Sequence, residues 1–266
     1  MGAGRGLSFI FKHDEERDLS EIIVFEPGGY RYIKGVFQYS AGVAAESGFA
    51  IVRARLARPL PLLDGFTAVE SHLKAAGRPT TAFCACELRS PEPFSEQGFV
   101  EFNRQYVETL ERWGLYRDGA NPVARTNVCP EFDKPAGPSL HAFSYTVPSD
   151  TTCGSFIIAG VGEAREGAGD YRNSIVRLGD TSVDGLREKI RFVMTEMEHR
   201  LAALEFGWGD AVSTQAYTTH DIGSLIRDEI VGHGVTGGLT WHYCQPPVVD
   251  IEYEMDVRGS AMEIVF

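Results

Sequence analysis

The chain of 266 residues lacks any apolar run long enough to cross a bilayer. It also has no P-loop, no G-x-S-x-G elbow and no H-E-x-x-H pair. Its opening, MGAGRGLSFIFKHDEERD, meets charged residues too soon to serve as a secretory signal. Met1-Gly2 starts like a myristoylation site, but Gly occupies position 6 where Ser or Thr is wanted. The expected location is the cytoplasm. Cysteine is scarce: Cys84, Cys86, Cys129, Cys153 and Cys244 are odd in number and without C-x-x-C spacing, which suits reduced thiols. Cys84 with Cys86, and His242 with Cys244, repeat a two-residue spacing but have no third and fourth ligand in view, so they read as packing residues. No metal and no organic cofactor is expected. Basic residues are also few, 25 Lys and Arg against 37 Asp and Glu, and they are scattered. A net charge of −12 without a basic stripe excludes a nucleic-acid partner.

What is present is a globular composition, 43% hydrophobic with 29 Gly and 13 Pro. Strand-like runs fall at 21–26 (EIIVFE), 31–38 (RYIKGVFQ) and 48–56 (GFAIVRARL), each rich in β-branched or aromatic residues and bounded by turn formers. Phe66, Val69 and Leu73 then form one helical stripe, ending at Gly77. A strand at 80–88 precedes a second amphipathic helix with Phe99, Phe102, Tyr106, Leu110 and Trp113 at spacings of three and four. PVARTNVC and SLHAFSYTV close the unit as strands.

The second half repeats the pattern with different letters. SFIIAGVGE (155–163) and IVRL read as strands, and a long helix follows, with Leu186, Ile190, Val193, Met197, Leu201 and Leu204 on one stripe and Thr181 and Asp184 at capping-box spacing. A strand at AVSTQAYT, a shorter helix at DIGSLIRDEIVG, and the strands GLTWHYCQ and PVVDIEYEMDV complete it. Both halves read β-β-β-α-β-α-β-β, with a boundary where turn formers cluster at 148–154. The expected division is a module over 1–148 and another over 149–266.

Two stretches invite other readings. GVGEAREGAG (160–169) has Arg165 where a dinucleotide fingerprint needs its third glycine, so it reads as a loop. PVVDIEYEMDV alternates Asp250, Glu252, Glu254 and Asp256 with Ile251, Tyr253, Met255 and Val257, the pattern of a half-buried strand with a solvated acidic face. Arg53 and Arg55 share a strand face in the first half and could relieve that charge.

NPVART (121–126), ahead of a strand, and FVEFNRQY (99–106), in the second helix, occur in the order and setting of the RidA/YjgF family of enamine and imine deaminases. Each half resembles that family. The resemblance implies an α+β fold of two tandem RidA-like (chorismate mutase-like) modules, each a mixed six-stranded sheet backed by two helices. It also implies a homotrimer of two-module chains and a small-molecule carboxylate as substrate. Arg125 would be the substrate arginine, and a planar guanidinium is the right group for two-pronged carboxylate binding. Asn127, Asn103, Tyr32 and Lys34 would be its neighbours. The family's glutamate corresponds to His141 in the first half and to Asp250, with Glu252 two residues on, in the second. Trp241 or a neighbour replaces the arginine in the second half, and His242 beside it is a pocket candidate. The activity implied is hydrolytic deamination of an enamine or imine acid. The alternatives are a chorismatase-like hydrolase or lyase acting on a carboxylated ring, and a non-catalytic metabolite-binding or assembly protein.

Overall fold

The structure, a computed structural model, describes residues 21–165, 172–235 and 237–266. The Met1-Gly2 start and the end of the glycine-rich 160–169 stretch lie outside the described residues. In chain order the strands are β1 (Ile22–Phe25), β2 (Tyr30–Ile33), β3 (Gly42–Ala45) and β4 (Phe49–Pro61). Helix α1 (Leu62–Ala75), β5 (Phe83–Arg89), α2 (Glu96–Arg112), β6 (Ala124–Pro130) and β7 (Ser139–Pro148) follow. The remainder is β8 (Phe156–Gly162), α3 (Val183–Ala203), β9 (Ser213–Tyr217), β10 (Leu239–His242), β11 (Cys244–Gln245), β12 (Glu254–Gly259) and β13 (Met262–Val265).

Local chemistry sets the helix ends. Ser95 caps α2 by accepting a hydrogen bond from the Gly98 amide at 3.1 Å, and Gly114, at φ +74°, turns the chain out of it. The cap of α3 is Ser182, which accepts from the Gly185 amide, rather than Thr181 one residue earlier. The expected helix over DIGSLIRDEIVG is only a π-helical turn, Ile226–Ile230, running into a 3-10 turn. IVRL forms no strand; Ile175 makes a single bridge to Ala164. Cys84 and Cys86 do not share a face, because the register shifts between Phe83 and Ala85. Cys84 packs between the sheets, and Cys86 faces the helices.

The fold is mixed α+β with two sheets, as expected, but the strands cross between halves. One sheet has seven strands in the order β1-β2-β3-β8-β12-β9-β10, and the other has six in the order β11-β6-β5-β7-β4-β13. The first three strands thus extend the sheet of the second half, where β3 pairs antiparallel with β8. In return β13 pairs parallel with β4, and the two-residue β11 pairs with the end of β6. GLTWHYCQ is therefore split between sheets, and neither half closes its own sheet. Helices α1 and α2 cover the outer face of the six-stranded sheet through Phe66, Val69, Leu73, Tyr106 and Leu110. Helix α3 covers the other through Ile190, Val193, Met197 and Leu201. The inner faces meet directly, Tyr30, Val43 and Ile157 against Ile51, Cys84 and Ala124.

This double layer explains why β12 differs from its sequence reading. All six of its residues are buried. Met255 and Val257 face α3, while Glu254, Asp256 and Arg258 face the opposing sheet rather than water. Arg53 on β4 grips Glu87 on β5 with two hydrogen bonds of 2.6 and 2.9 Å. Arg258 reaches across to the same carboxylate at 2.7 Å and holds Asp256 at 2.8 Å. The expected meeting of the Arg53 face with the acidic strand therefore occurs through Glu87, with Arg258 between them.

Burial alone would raise the Glu87 carboxyl, but Arg258 and Arg53 outweigh it and hold it well below the usual carboxylate range. The Glu87 contribution is thus present above the unfolded carboxyl pKa of about 4.3 and is lost as pH falls through the folded value. Glu87→Gln leaves two buried guanidiniums short of a charge and is expected to cost on the order of 3 kcal/mol in urea unfolding at pH 7. The deficit should shrink progressively as pH falls below about 4. A deficit constant with pH would contradict the assignment.

Candidate active site

The cleft lies at the free edge of β6, which β11 covers only at Pro130 and Cys129. Asn121 builds its entrance. Its side-chain amide donates to the Phe37 and Gln38 carbonyls at 3.2 and 2.8 Å, while its carbonyl accepts from the Val123 amide. The Ser40 amide donates to the Val123 carbonyl as well, so Tyr39 is held beside the start of β6.

Arg125, the next odd-numbered residue on β6, is 3% exposed, and among the described residues no carboxylate pairs with it. Its Nη1 donates to Asn103 Oδ1 on α2 at 2.6 Å. Four rings surround the guanidinium carbon, at 4.8 Å (Tyr106), 5.1 Å (Tyr39), 5.5 Å (Phe99) and 5.7 Å (Phe102). Ring faces stabilise a cation without neutralising it, so the site keeps its charge for an anion. Asn127, two residues on, accepts from Ser90 Oγ at 3.1 Å, and its buried Nδ2 has no partner. Asn103 Nδ2 is likewise buried and unpartnered. An orphaned buried donor is costly unless a ligand satisfies it, and these two flank an arginine.

The opposite wall belongs to the second half. Glu254, at the start of β12, is 5% exposed and lines the same cleft as Arg125, Asn127, Tyr39, Phe99 and Gly160. A side-chain carbon on Gly160 would run into Glu254 Oε1, so that glycine makes room for the carboxyl. Burial raises the Glu254 carboxyl well above its ordinary value, Asp256 on the same strand face adds to this, and Arg125 pulls the other way. The carboxyl is thereby biased towards its protonated form. Loop 247–251 closes the cleft, and Glu163 fixes that loop by accepting the Glu252 and Tyr253 amides at 2.7 and 3.0 Å. The open space, mouth included, is about 470 Å³.

Of the residues singled out in the sequence, Arg125, Asn103 and Asn127 come together here. The others do not. Asp250, at φ +74°, pairs with Arg172 at 2.6 Å, and Glu252 pairs with the fully buried Lys189 at 3.0 Å, so both secure the loop rather than face the cleft. Tyr32 packs between the sheets, and Lys34 is exposed and paired with Glu21 at 2.7 Å. His141 on β7 and His242 on β10 are half-buried elsewhere in the layer, His242 stacked on Tyr217 with ring centroids 5.0 Å apart. Trp241 is exposed at the far sheet edge and donates to the Thr218 carbonyl. Glu254 and Tyr39 are the residues missed. The available signal for Glu254 was an acid at the head of a strand opposite a glycine-interrupted one. Among the described residues no group of three or more His, Cys, Asp or Glu is placed to hold a metal ion, and no described helix is long and apolar enough to cross a membrane.

A cationic, donor-rich pocket facing a buried carboxyl is equipment for acid–base chemistry on a small carboxylate. The sequence model of 2-aminomuconate deaminase CnbZ matches residues 22–264, and the chain belongs to that family. It is 59% identical, over 250 residues covering 93% of this chain and all of the relative, to 2-amino-5-chloromuconate deaminase of Comamonas testosteroni. The chain is accordingly a deaminase acting on a carbon–nitrogen bond of a small carboxylate. Among solved structures, a Thermotoga maritima protein with the provisional description of an endoribonuclease is 16% identical, with a TM-score of 0.33, over 49% of this chain and 90% of its own. A chorismatase is 11% identical, with a TM-score of 0.43, over 85% of this chain and 78% of its own.

Gly160→Ala is expected to displace the Glu254 carboxyl and cut kcat at least tenfold, while the urea midpoint changes little. An unchanged kcat would remove Glu254 from the site.

Proposed function

We propose that the protein hydrolytically deaminates 2-aminomuconate or a close relative of it, an enamine dicarboxylate, with Arg125 and Asn127 holding the carboxylate next to the amino-bearing carbon. The single observation that supports this most is a buried arginine without a carboxylate, flanked by orphaned amide donors and facing a buried acid from the other half of the chain. Asn103 turns its carbonyl to Arg125, since two donors cannot pair, and so aims the guanidinium.

The chemistry follows from one acid used repeatedly. Glu254, protonated, delivers its proton to the enamine carbon, and the nitrogen lone pair moves in to form C=N. The resulting carboxylate takes a proton from water as the water oxygen bonds to the iminium carbon, giving a carbinolamine. Glu254 then returns a proton to the nitrogen, the C–N bond breaks, and ammonia leaves. The hydroxyl proton passes back to Glu254 as C=O forms. Enamine plus water becomes ketone plus ammonia, with the acid restored. Burial serves this cycle, because a carboxyl with an ordinary pKa would be ionised at neutral pH and could not begin it.

Arg125→Ala is expected to lower kcat/KM for ammonia release roughly 10- to 150-fold, the loss of one charge-assisted pair, with partial recovery in Arg125→Lys. Glu254→Gln should lower kcat by roughly 10²- to 10⁴-fold. A raised carboxyl is protonated below its pKa, so the wild-type rate falls as pH rises through it. Asp256→Asn removes one influence that raises it, and the falling limb moves to lower pH. A limb that stays in place in Asp256→Asn, or full activity in Glu254→Gln, would count against this assignment.

A further inference from the structure

The inner layer holds another arginine without a carboxylate. Arg89, at the end of β5, is 6% exposed, and its only hydrogen bond among the described residues is to the adjoining Leu88 carbonyl at 2.8 Å. Its guanidinium carbon stands 5.8 Å from the Tyr217 ring centroid. The nearby acids are already used: Glu87 by Arg53 and Arg258, and Asp256 by Arg258 and the Tyr217 hydroxyl at 2.9 Å. The guanidiniums of Arg53 and Arg258 thus take up Glu87, Asp256 and, through Arg53 at 3.5 Å, Glu263. Among the described residues none of these carboxylates forms an ion pair with Arg89.

The topology says where this arginine stands. Strand β6 pairs parallel with β5, as β10 does with β9. Strand β7 runs antiparallel between β4 and β5, as β12 does between β8 and β9. The catalytic cleft combines β6 of the first half with β12 of the second. Exchanging the halves pairs β10 with β7, which carry His242 and His141. His141 lies where the β7 register shifts between Glu87 and Leu88, and its Nδ1 is buried without a partner. Burial lowers both imidazoles, His141 to about 3, and Arg89 is the leading charge lowering each further. Both rings therefore favour the neutral form, each with an N–H available, near a guanidinium that no carboxylate pairs.

We propose that the chain has a second anion-binding position, related to the catalytic cleft by the internal repeat, in which Arg89 binds the carboxylate of a small organic acid beside His141 and His242. The bidentate face of the guanidinium selects a planar carboxylate, and the neutral imidazoles supply donors without needing protonation. The position is independent of the deaminase reading, because its residues are not those of the cleft.

The test is titration of the intact protein with muconate, the nitrogen-free dicarboxylate, followed by calorimetry. The wild type should bind at two sites, Arg125→Ala at one, and Arg89→Ala at one. A single site lost in both variants would overturn the proposal and make Arg89 a reader of the distal carboxylate in the cleft. Two sites persisting in Arg89→Ala would overturn it as well. Should Arg89→Ala not fold, the His141 and His242 ring resonances followed by NMR in Arg125→Ala decide: shifts on adding muconate support the position, and none overturns it. Undiminished binding by Arg125→Ala would instead count against the deaminase cleft, so the two readings fail separately.

Discussion

A guanidinium buried without its own counter-charge is the feature on which the rest depends. Stripping Arg125 of water costs several kcal/mol, and no carboxylate among the described residues recovers it. Four aromatic rings and the Asn103 carbonyl make the placement tolerable without making it comfortable. What remains is an unsatisfied demand for a planar anion, held in place by a strand and a helix. Stability is given up locally in favour of binding.

The double sheet sets a buried carboxyl opposite that arginine. A single sheet with two helices has one buried face and one face open to water. Pressing the two inner faces together buries the second face too, and the carboxyl of Glu254 with it. Burial then bears on the chemistry, since it raises the carboxyl and favours its protonated form. The exchange of β1–β3 and of β11 and β13 between sheets locks the halves together, so the two walls of the cleft cannot drift apart independently. The same layer explains why ionic residues recur inside it: Arg53, Glu87, Arg258 and Asp256 satisfy one another where water is excluded.

Much of this was legible in the sequence, and the failures have a common cause. Periodicity located α1, α2 and α3, because each buries one stripe on one sheet. Arg125, Asn103 and Asn127 are legible only through the resemblance of NPVART and FVEFNRQY to the RidA/YjgF family, not from local pattern alone. The resemblance also puts Tyr32 and Lys34 beside Arg125, but β1–β3 pair into the other sheet and carry both away from it. The acidic alternation of β12 looked like a solvated face, since a strand facing a second sheet carries the same period of two as one facing water. Only tertiary placement separates Glu254 from Asp250 and Glu252, which read the same but secure a loop through Arg172 and Lys189.

The most direct test of a site assembled from both halves is a crystal structure of the Glu254→Gln protein with muconate bound. The account predicts one carboxylate on Arg125 and Asn127 Nδ2, with the adjoining carbons packed against the side chain at position 254 across the edge of β6. Muconate bound away from Arg125, or with residue 254 turned out of reach of those carbons, would contradict it.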